Sequence, residues 1–234
     1  MKIDYKNTTT YEMNALVGFP VCEYSTEWLT KNEYLTPTKC YFIKNDLKIN
    51  QVVDKNLDID NENNDNYHNV YDLKITNNTE RNNIIKEIVD KNKDKKILIL
   101  TKLIKHGENL NALIKNSRLI TSGTNKVTRK EDFNSYKLDE YNVLIGSSQI
   151  FSTGIDIPDI DIIINAGANK SDVTTIQSIG RCMRKTDDKE YAYYFDFVDD
   201  GSRYFTNSSK QRRQILEEFG HEIIYIKEIK DIYL

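Results

Sequence analysis

Gln177, Arg181 and Arg184 fall at i, i+4 and i+7 in the run Gln177-Ser178-Ile179-Gly180-Arg181-Cys182-Met183-Arg184. On a helix that spacing puts all three on one face. Ile176, Ile179 and Met183 then take the opposite side and can pack on a sheet. Two guanidiniums on a rigid helix supply fixed positive charge where negative charge builds up, as it does on a triphosphate during phosphoryl transfer. A mid-helix glycine costs about 1 kcal/mol against alanine, so Gly180 implies a close approach at that point. Ser171 or Asp172 can cap the helix start. A solvated basic face accounts for two arginines, but not for the whole Gln-x-x-Gly-Arg-x-x-Arg spacing behind a parallel strand.

A second cluster precedes this helix. Ser147-Ser148-Gln149-Ile150-Phe151-Ser152-Thr153-Gly154-Ile155-Asp156 leaves the end of an apolar strand. Hydroxyls just past a strand's carboxyl end are well placed for a phosphate. Gly154 allows a tight turn ahead of Ile157-Pro158, and Asp156 on local grounds alone is a capping residue. Further upstream, Thr101 and Lys102 end the strand Leu98-Ile99-Leu100, and His106-Gly107-Glu108 opens a helix. A lone histidine there reads as structural. Thr121-Ser122-Gly123 ends the next strand, with Arg129 in the following helix.

In this order, the strings resemble the second motor domain of superfamily 2 helicases. Thr101 with His106-Gly107-Glu108 resembles motif IV, Ser147 to Asp156 resembles motif V, and Gln177 to Arg184 resembles motif VI. Tyr194-Phe195-Asp196-Phe197-Val198-Asp199 followed by Ser208-Ser209-Lys210-Gln211-Arg212-Arg213 resembles the ending of phage-type branch-migration and DNA-repair helicases. Leu16-Val17-Gly18, Glu23-Tyr24-Ser25 and Leu35-Thr36-Pro37 resemble the link between the two motor domains. The likeness covers nearly the whole chain.

The resemblance implies roles. Arg184 is the arginine finger reaching the γ-phosphate across a cleft, and Arg181 also faces the phosphates. Gln177 couples the nucleotide to the nucleic-acid side, Gly154 shapes the nucleotide loop, and Asp156 accepts from the ribose. Thr101, the Gly123 amide and Ser148 contact nucleic-acid phosphates; Ser148 stands where the family usually has threonine and keeps the hydroxyl. The partner is DNA on this likeness, with RNA open.

The sequence has no GxxxxGK[ST] loop and no DExH box. The implied cofactors, ATP and Mg²⁺, are therefore expected mainly on an N-terminal helicase half that carries those motifs, and this chain alone is expected to hydrolyse no ATP. No metal ligand set of its own is expected. The alternative is a non-catalytic DNA-binding or regulatory remnant of a helicase, which would need neither arginine nor Asp156. Gly167-Ala168-Asn169-Lys170-Ser171 lies where a phosphate-binding loop would lie, but Asn169 precedes the lysine and position 164, where the first glycine would fall, is isoleucine. Such a loop is too short to wrap a β-phosphate. Asp196 after its apolar strand imitates a magnesium-binding aspartate and reads as a surface residue at a strand end.

The elements that position these residues follow from periodicity. Wholly apolar runs such as Ile97-Leu98-Ile99-Leu100 and Ile162-Ile163-Ile164 read as strands buried on both faces. Strands are expected also at 118–121, 143–145, 191–198 and 222–226, with helices at 78–89, 106–116, 127–136, 172–183 and 209–219. Alternating strands and helices imply an α/β, RecA-like (P-loop NTPase-type) parallel sheet with helices on both faces. The expected division is a link or extension over 1–80 and the helicase C-terminal domain over 81–234. Asp58 to Asn69, rich in Asn and Asp, reads as a surface loop.

The 234 residues suffice for a full core. With a formal net charge of -3, any nucleic-acid contact must come from a local patch. Cys22, Cys40 and Cys182 show no metal spacing and read as reduced thiols. No apolar run reaches the roughly 18–20 residues of a membrane span, and the start lacks an apolar signal core. A soluble, cytoplasmic protein is expected, in the host cytoplasm if viral.

Overall fold

The computed structural model describes residues 21–44, 64–147, 150–151, 160–168, 172–186, 189–199 and 203–227. In chain order the elements are α1 (Thr26–Lys31), β1 (Thr38–Lys44), α2 (Asn64–Tyr71), a π-helical turn (Asp72–Thr76), α3 (Thr79–Lys91), β2 (Ile97–Thr101), α4 (Ile104–Leu113), β3 (Ser117–Ile120), α5 (Lys126–Lys137), β4 (Val143–Ser147), β5 (Ile162–Asn165), α6 (Asp172–Cys182), β6 (Ala192–Val198), α7 (Arg203–Glu218) and β7 (Glu222–Ile226). The strands form one sheet in the order β3-β4-β2-β5-β6-β1-β7. Every pairing is parallel.

Alternation along β2 feeds two separate cores. Ile97 and Ile99 face one side with Ile85, Ile88, Val89 and Leu110, inward residues of α3 and α4, and with Ile114 just past α4. Leu98 and Leu100 face the other with Phe133, Tyr136, Ile179, Met183 and Leu216, from α5, the α6 region and α7. A strand covered on both faces has no polar side, which is why its sequence is a continuous apolar run. Each fully buried Ile or Leu contributes about 1.5–3 kcal/mol relative to exposure. A third cluster, Val70, Tyr71, Ile75, Ala168 and Phe205, sits beside the turn that follows β5.

Side-chain caps set the starts of α1, α3 and α5, the first through Ser25 Oγ, which accepts from the Trp28 amide (3.1 Å). Asn78 Oδ1 accepts from the Arg81 amide (3.0 Å) at α3, and Asn125 Oδ1 accepts from the Thr128 amide (2.8 Å) at α5. At α6 the capping position falls on Ser171, outside the described residues.

Two expectations change. β1 comes from the segment read as a link over 1–80, yet it pairs with β6 on one side and β7 on the other. Its Cys40, Tyr41, Phe42 and Ile43 are all buried. The short apolar run stands apart from any strand-helix rhythm, so its periodicity gave no signal. Also, residues 64–69 of the expected surface loop belong to α2. Among the described residues no helix is long and apolar enough to cross a membrane.

Candidate functional site

In a parallel sheet the loops at the carboxyl ends of the strands build the binding edge. Thr101 closes β2, Gly123 lies in the turn after β3, and α6 follows β5. Ser148, Gly154 and Asp156 lie outside the described residues.

Helix α6 has two faces. Thr175, Ser178, Ile179 and Cys182 are buried, followed by Met183 past the helix end. Gln177 and Gly180 are exposed and Arg181 is half-buried, so these three share the outward face. The apolar side falls as expected for Ile179 and Met183, while Ile176 is only half-buried.

Arg184 corrects the helical account. The helix stops at Cys182, so helical spacing does not fix this arginine. Its backbone is held from far away in sequence. Leu35 and Arg184 form an isolated antiparallel bridge. The Thr36 amide donates to the Met183 carbonyl (2.9 Å), and Thr36 Oγ1 donates to the Arg184 carbonyl (3.3 Å). Lys185 pairs with Glu33 at 3.3 Å. The exposed Arg184 side chain thus leaves a backbone pinned by Leu35 and Thr36, residues that the sequence offered only as part of a link.

Gly180 carries a second correction. A Cβ built there would meet nothing within 4 Å, so no described part of this chain makes the close approach that a helical glycine implied.

Thr101 is buried at 2 % exposure. α4 passes close over it: a Cβ on Gly107 would lie 2.7 Å from Leu119 Cδ1 and 3.5 Å from Thr101 Oγ1. Gly123 sits in a turn closed by Arg129, whose Nη2 donates to the carbonyls of Thr121 (3.2 Å) and Thr124 (3.1 Å). The structure therefore gives Arg129 a turn-closing position that spacing alone did not reveal.

Beside this edge lies a buried ionic network missed at the level of sequence. Asp196 is fully buried, not at the surface. Arg212 grips it in two-pronged fashion, Nε to Oδ2 at 2.7 Å and Nη2 to Oδ1 at 2.9 Å. Asn165 Nδ2 (3.0 Å) and Tyr194 Oη (3.1 Å) donate to Asp196 Oδ2, and the Phe197 amide donates to Oδ1 (2.7 Å). Asp199 joins Arg212 (3.3 Å) to Arg81 (2.5 Å). Arg81 also donates from Nε and Nη2 to the Ala166 carbonyl (3.2 and 3.0 Å) and lies 3.9 Å from the Phe197 ring centroid. Two guanidiniums and two carboxylates so tie α3, the turn after β5, β6 and α7 together. With its carboxylate oxygens engaged by these donors, Asp196 is a structural anchor. Among the described residues no group of three His, Cys, Asp or Glu side chains could hold a metal.

His106 is structural in position, as read. It is fully buried, and its Nε2 lies 2.9 Å from Asn82 Oδ1. Asn82 Nδ2 donates to the Thr76 carbonyl (3.2 Å), which leaves Oδ1 as acceptor and puts the imidazole proton on Nε2. Nδ1 is buried without a hydrogen-bond partner. Burial first, then the Arg81 charge, push the imidazole pKa down to about 3. In the unfolded chain it titrates near its ordinary value of about 6.5. Below that pH the unfolded state takes up a proton that the folded state refuses, so stability falls as pH drops toward 3. The limiting slope is about 1.4 kcal/mol per pH unit. His106→Leu should flatten this limb in urea unfolding between pH 7 and pH 5; an unchanged slope would show that His106 is protonated in the fold.

Comparison with known proteins bears on the family and the fold. Residues 79–186 match the family described as Helicase conserved C-terminal domain. The chain is 29% identical over 163 residues to UvrABC system protein B of Latilactobacillus sakei subsp. sakei (strain 23K), covering 63% of this chain and 24% of that protein. It is 41% identical over 68 residues to ATP-dependent DNA helicase MPH1 of Saccharomyces cerevisiae (strain YJM789), covering 29% of this chain and 7% of that protein. The chain thus spans about a quarter or less of these relatives. In structure it resembles T4 UvsW, with TM-score 0.60 and 18% identity over 82% of this chain and 41% of that one. It also resembles the C-terminal domain of the DEAD-box protein Dbp5, with TM-score 0.55 and 18% identity over 66% of this chain and 87% of that one.

Proposed function

Residues 79–186 are a helicase conserved C-terminal domain of superfamily 2 with a RecA-like fold, and from this premise we propose that the chain is the arginine-finger half of an ATP-driven DNA translocase. The observation that carries the reading is the outward face of α6. Gln177, Gly180 and Arg181 share it, and the exposed Arg184 follows on a backbone pinned by Leu35 and Thr36. Fixed guanidiniums stabilise the charge of phosphoryl transfer without reorganising as the reaction proceeds. The open space at Gly180 suits the approach of another surface.

In this proposal ATP and Mg²⁺ are held mainly by an ATP-binding domain with the GxxxxGK[ST] and DExH sequences. Arg184 reaches the γ-phosphate, and Arg181 supports the phosphates. Gln177 links nucleotide to nucleic acid, and Gly154 and Asp156 shape and contact the nucleoside side. On the nucleic-acid side the Gly123 turn and Ser148 meet backbone phosphates. Thr101, being buried, acts there through the position of its strand end. Contacts of this kind give weak sequence preference and strong salt dependence.

The test is DNA-stimulated phosphate release, measured first on the pure chain and then with an added ATP-binding domain that carries the GxxxxGK[ST] and DExH sequences. We expect no turnover from the chain alone. With the partner, Arg184→Ala should lower kcat by roughly 10³-fold or more while leaving DNA binding intact. Turnover by the chain alone that Arg184→Ala removes would overturn the proposal, because the whole ATP site would then lie within this chain.

A further inference from the structure

Tyr24, Trp28 and Tyr34 form an exposed stack on and around α1. The Tyr24 and Trp28 ring centroids are 4.5 Å apart with planes 28° from parallel, and Trp28 and Tyr34 are 5.8 Å apart at 14°. The three rings are 56, 42 and 65 % exposed. Apolar rings in this number normally go inside a fold, and a cluster left outside marks a contact surface. Ser25 Oγ accepts from the Trp28 amide (3.1 Å) and holds the start of the short helix. Glu33, at its end, has a left-handed backbone (φ 63) that glycine or asparagine would adopt more readily. The chain turns there and brings Tyr34 back beside Trp28.

The charge around the rings says what the surface takes. Each ring follows a glutamate directly: Glu23-Tyr24, Glu27-Trp28 and Glu33-Tyr34. All three glutamates are exposed; Glu33 faces Lys185, and Lys31 is the one basic residue between Glu23 and Tyr34. A nucleic-acid backbone is repelled by that rim. A guanidinium is attracted twice: its plane stacks on an aromatic face, and its edge N–H groups pair with a carboxylate. A lysine ammonium lacks the plane and gains less.

We infer that the Tyr24–Trp28–Tyr34 stack with its glutamate rim is a docking surface for an arginine-bearing segment of a partner protein. The site is separate from Arg181 and Arg184, although Leu35, which follows Tyr34 directly, bridges the Arg184 backbone.

Trp28 is the single tryptophan of the chain, so its emission reports on this surface alone. The probes are deca-arginine, deca-lysine and a dT20 oligonucleotide, added to the whole chain at low salt. Deca-arginine should quench Trp28 saturably and deca-lysine at least several-fold more weakly, with dT20 leaving it unchanged. Anisotropy of fluorescein-labelled deca-arginine should show at least 10-fold weaker binding to Trp28→Ala and to Glu27→Gln. Glu140→Gln, which changes net charge equally at a distant exposed site, should bind as the parent does. Thermal melts confirm that each variant is folded, and Glu27→Gln, being a surface change, keeps the test open if Trp28→Ala is not. Equal binding by the two peptides, or equal loss in Glu27→Gln and Glu140→Gln, would reduce the surface to diffuse charge and overturn the inference. Quenching by dT20 in place of deca-arginine would overturn it too and assign the rings to nucleobases. None of these readouts depends on ATP turnover, so failure here leaves the helicase proposal standing.

Discussion

Arg212→Ala should lose about 3–5 kcal/mol of unfolding free energy, the penalty for leaving a buried charge without its partner. Arg212 and Asp196 are both fully buried, and their contact is two-pronged. Burial alone pulls the Arg212 pKa down, but Asp196, its hydrogen bond and Asp199 together raise it above the ordinary value. The arginine therefore stays charged in the fold. Removing it leaves Asp196 with neutral donors only, Asn165, Tyr194 and the Phe197 amide, and leaves Asp199 with Arg81 as its remaining guanidinium contact. Urea unfolding measures the loss. A double variant, Arg212→Met with Asp196→Leu, should recover much of it, because apolar groups of similar volume in place of a buried pair are often neutral or better. A loss below about 1 kcal/mol in Arg212→Ala, the range of exposed pairs, would mean that water reaches the site.

Gly167→Ala should be the most damaging single methyl in the turn that leads from β5 toward α6. The added Cβ would lie 2.7 Å from the Lys102 amide nitrogen and 3.0 Å from the Thr101 carbonyl carbon. Both are backbone atoms, which cannot rotate aside. The turn is tied on both sides: the Ala166 and Gly167 amides donate to the Leu100 carbonyl (2.9 and 3.0 Å), and Tyr71 Oη donates to the Gly167 carbonyl (2.7 Å). Overpacking of a tight site costs about 1–3 kcal/mol, and the upper end is expected here. Gly180→Ala is the matched control. With open space around it, alanine should leave the isolated chain unharmed or stabilise it by up to about 1 kcal/mol. Thermal unfolding of the two variants side by side checks the pair; equal melting points would show that the β2 and β5 ends can separate freely.

Much of the fold was legible because the central strands announce themselves. β2 and β5 are apolar runs up to a polar last residue, Thr101 and Asn165, and β7 was read with its observed ends. What stayed hidden depends on partners distant in sequence. Asp196 followed a strand and looked like a surface residue, since nothing nearby names Arg212 on α7 as its counter-ion. Arg184 looked like a helical residue because it lies seven positions after Gln177, whereas its backbone is set by Leu35 and Thr36. The shared face of Gln177 and Arg181 was legible, being a local pattern on one helix, while Arg184, read as its third member, lies past the helix end. His106 was rightly placed as structural, but its orphaned Nδ1 could only come from three dimensions.

β1 lies between β6 and β7 in the sheet although, among the described residues, it is the first strand in chain order. On the ribosome this order becomes a waiting time. The run Cys40-Tyr41-Phe42-Ile43 is made well before both of its neighbours, β6 and β7. At roughly 5–20 residues per second, the first strand stands unpaired for on the order of ten seconds. β7 then emerges with β1 as its only strand partner among the described residues. The nascent chain must keep that apolar segment out of other company until β6 and β7 have both been made.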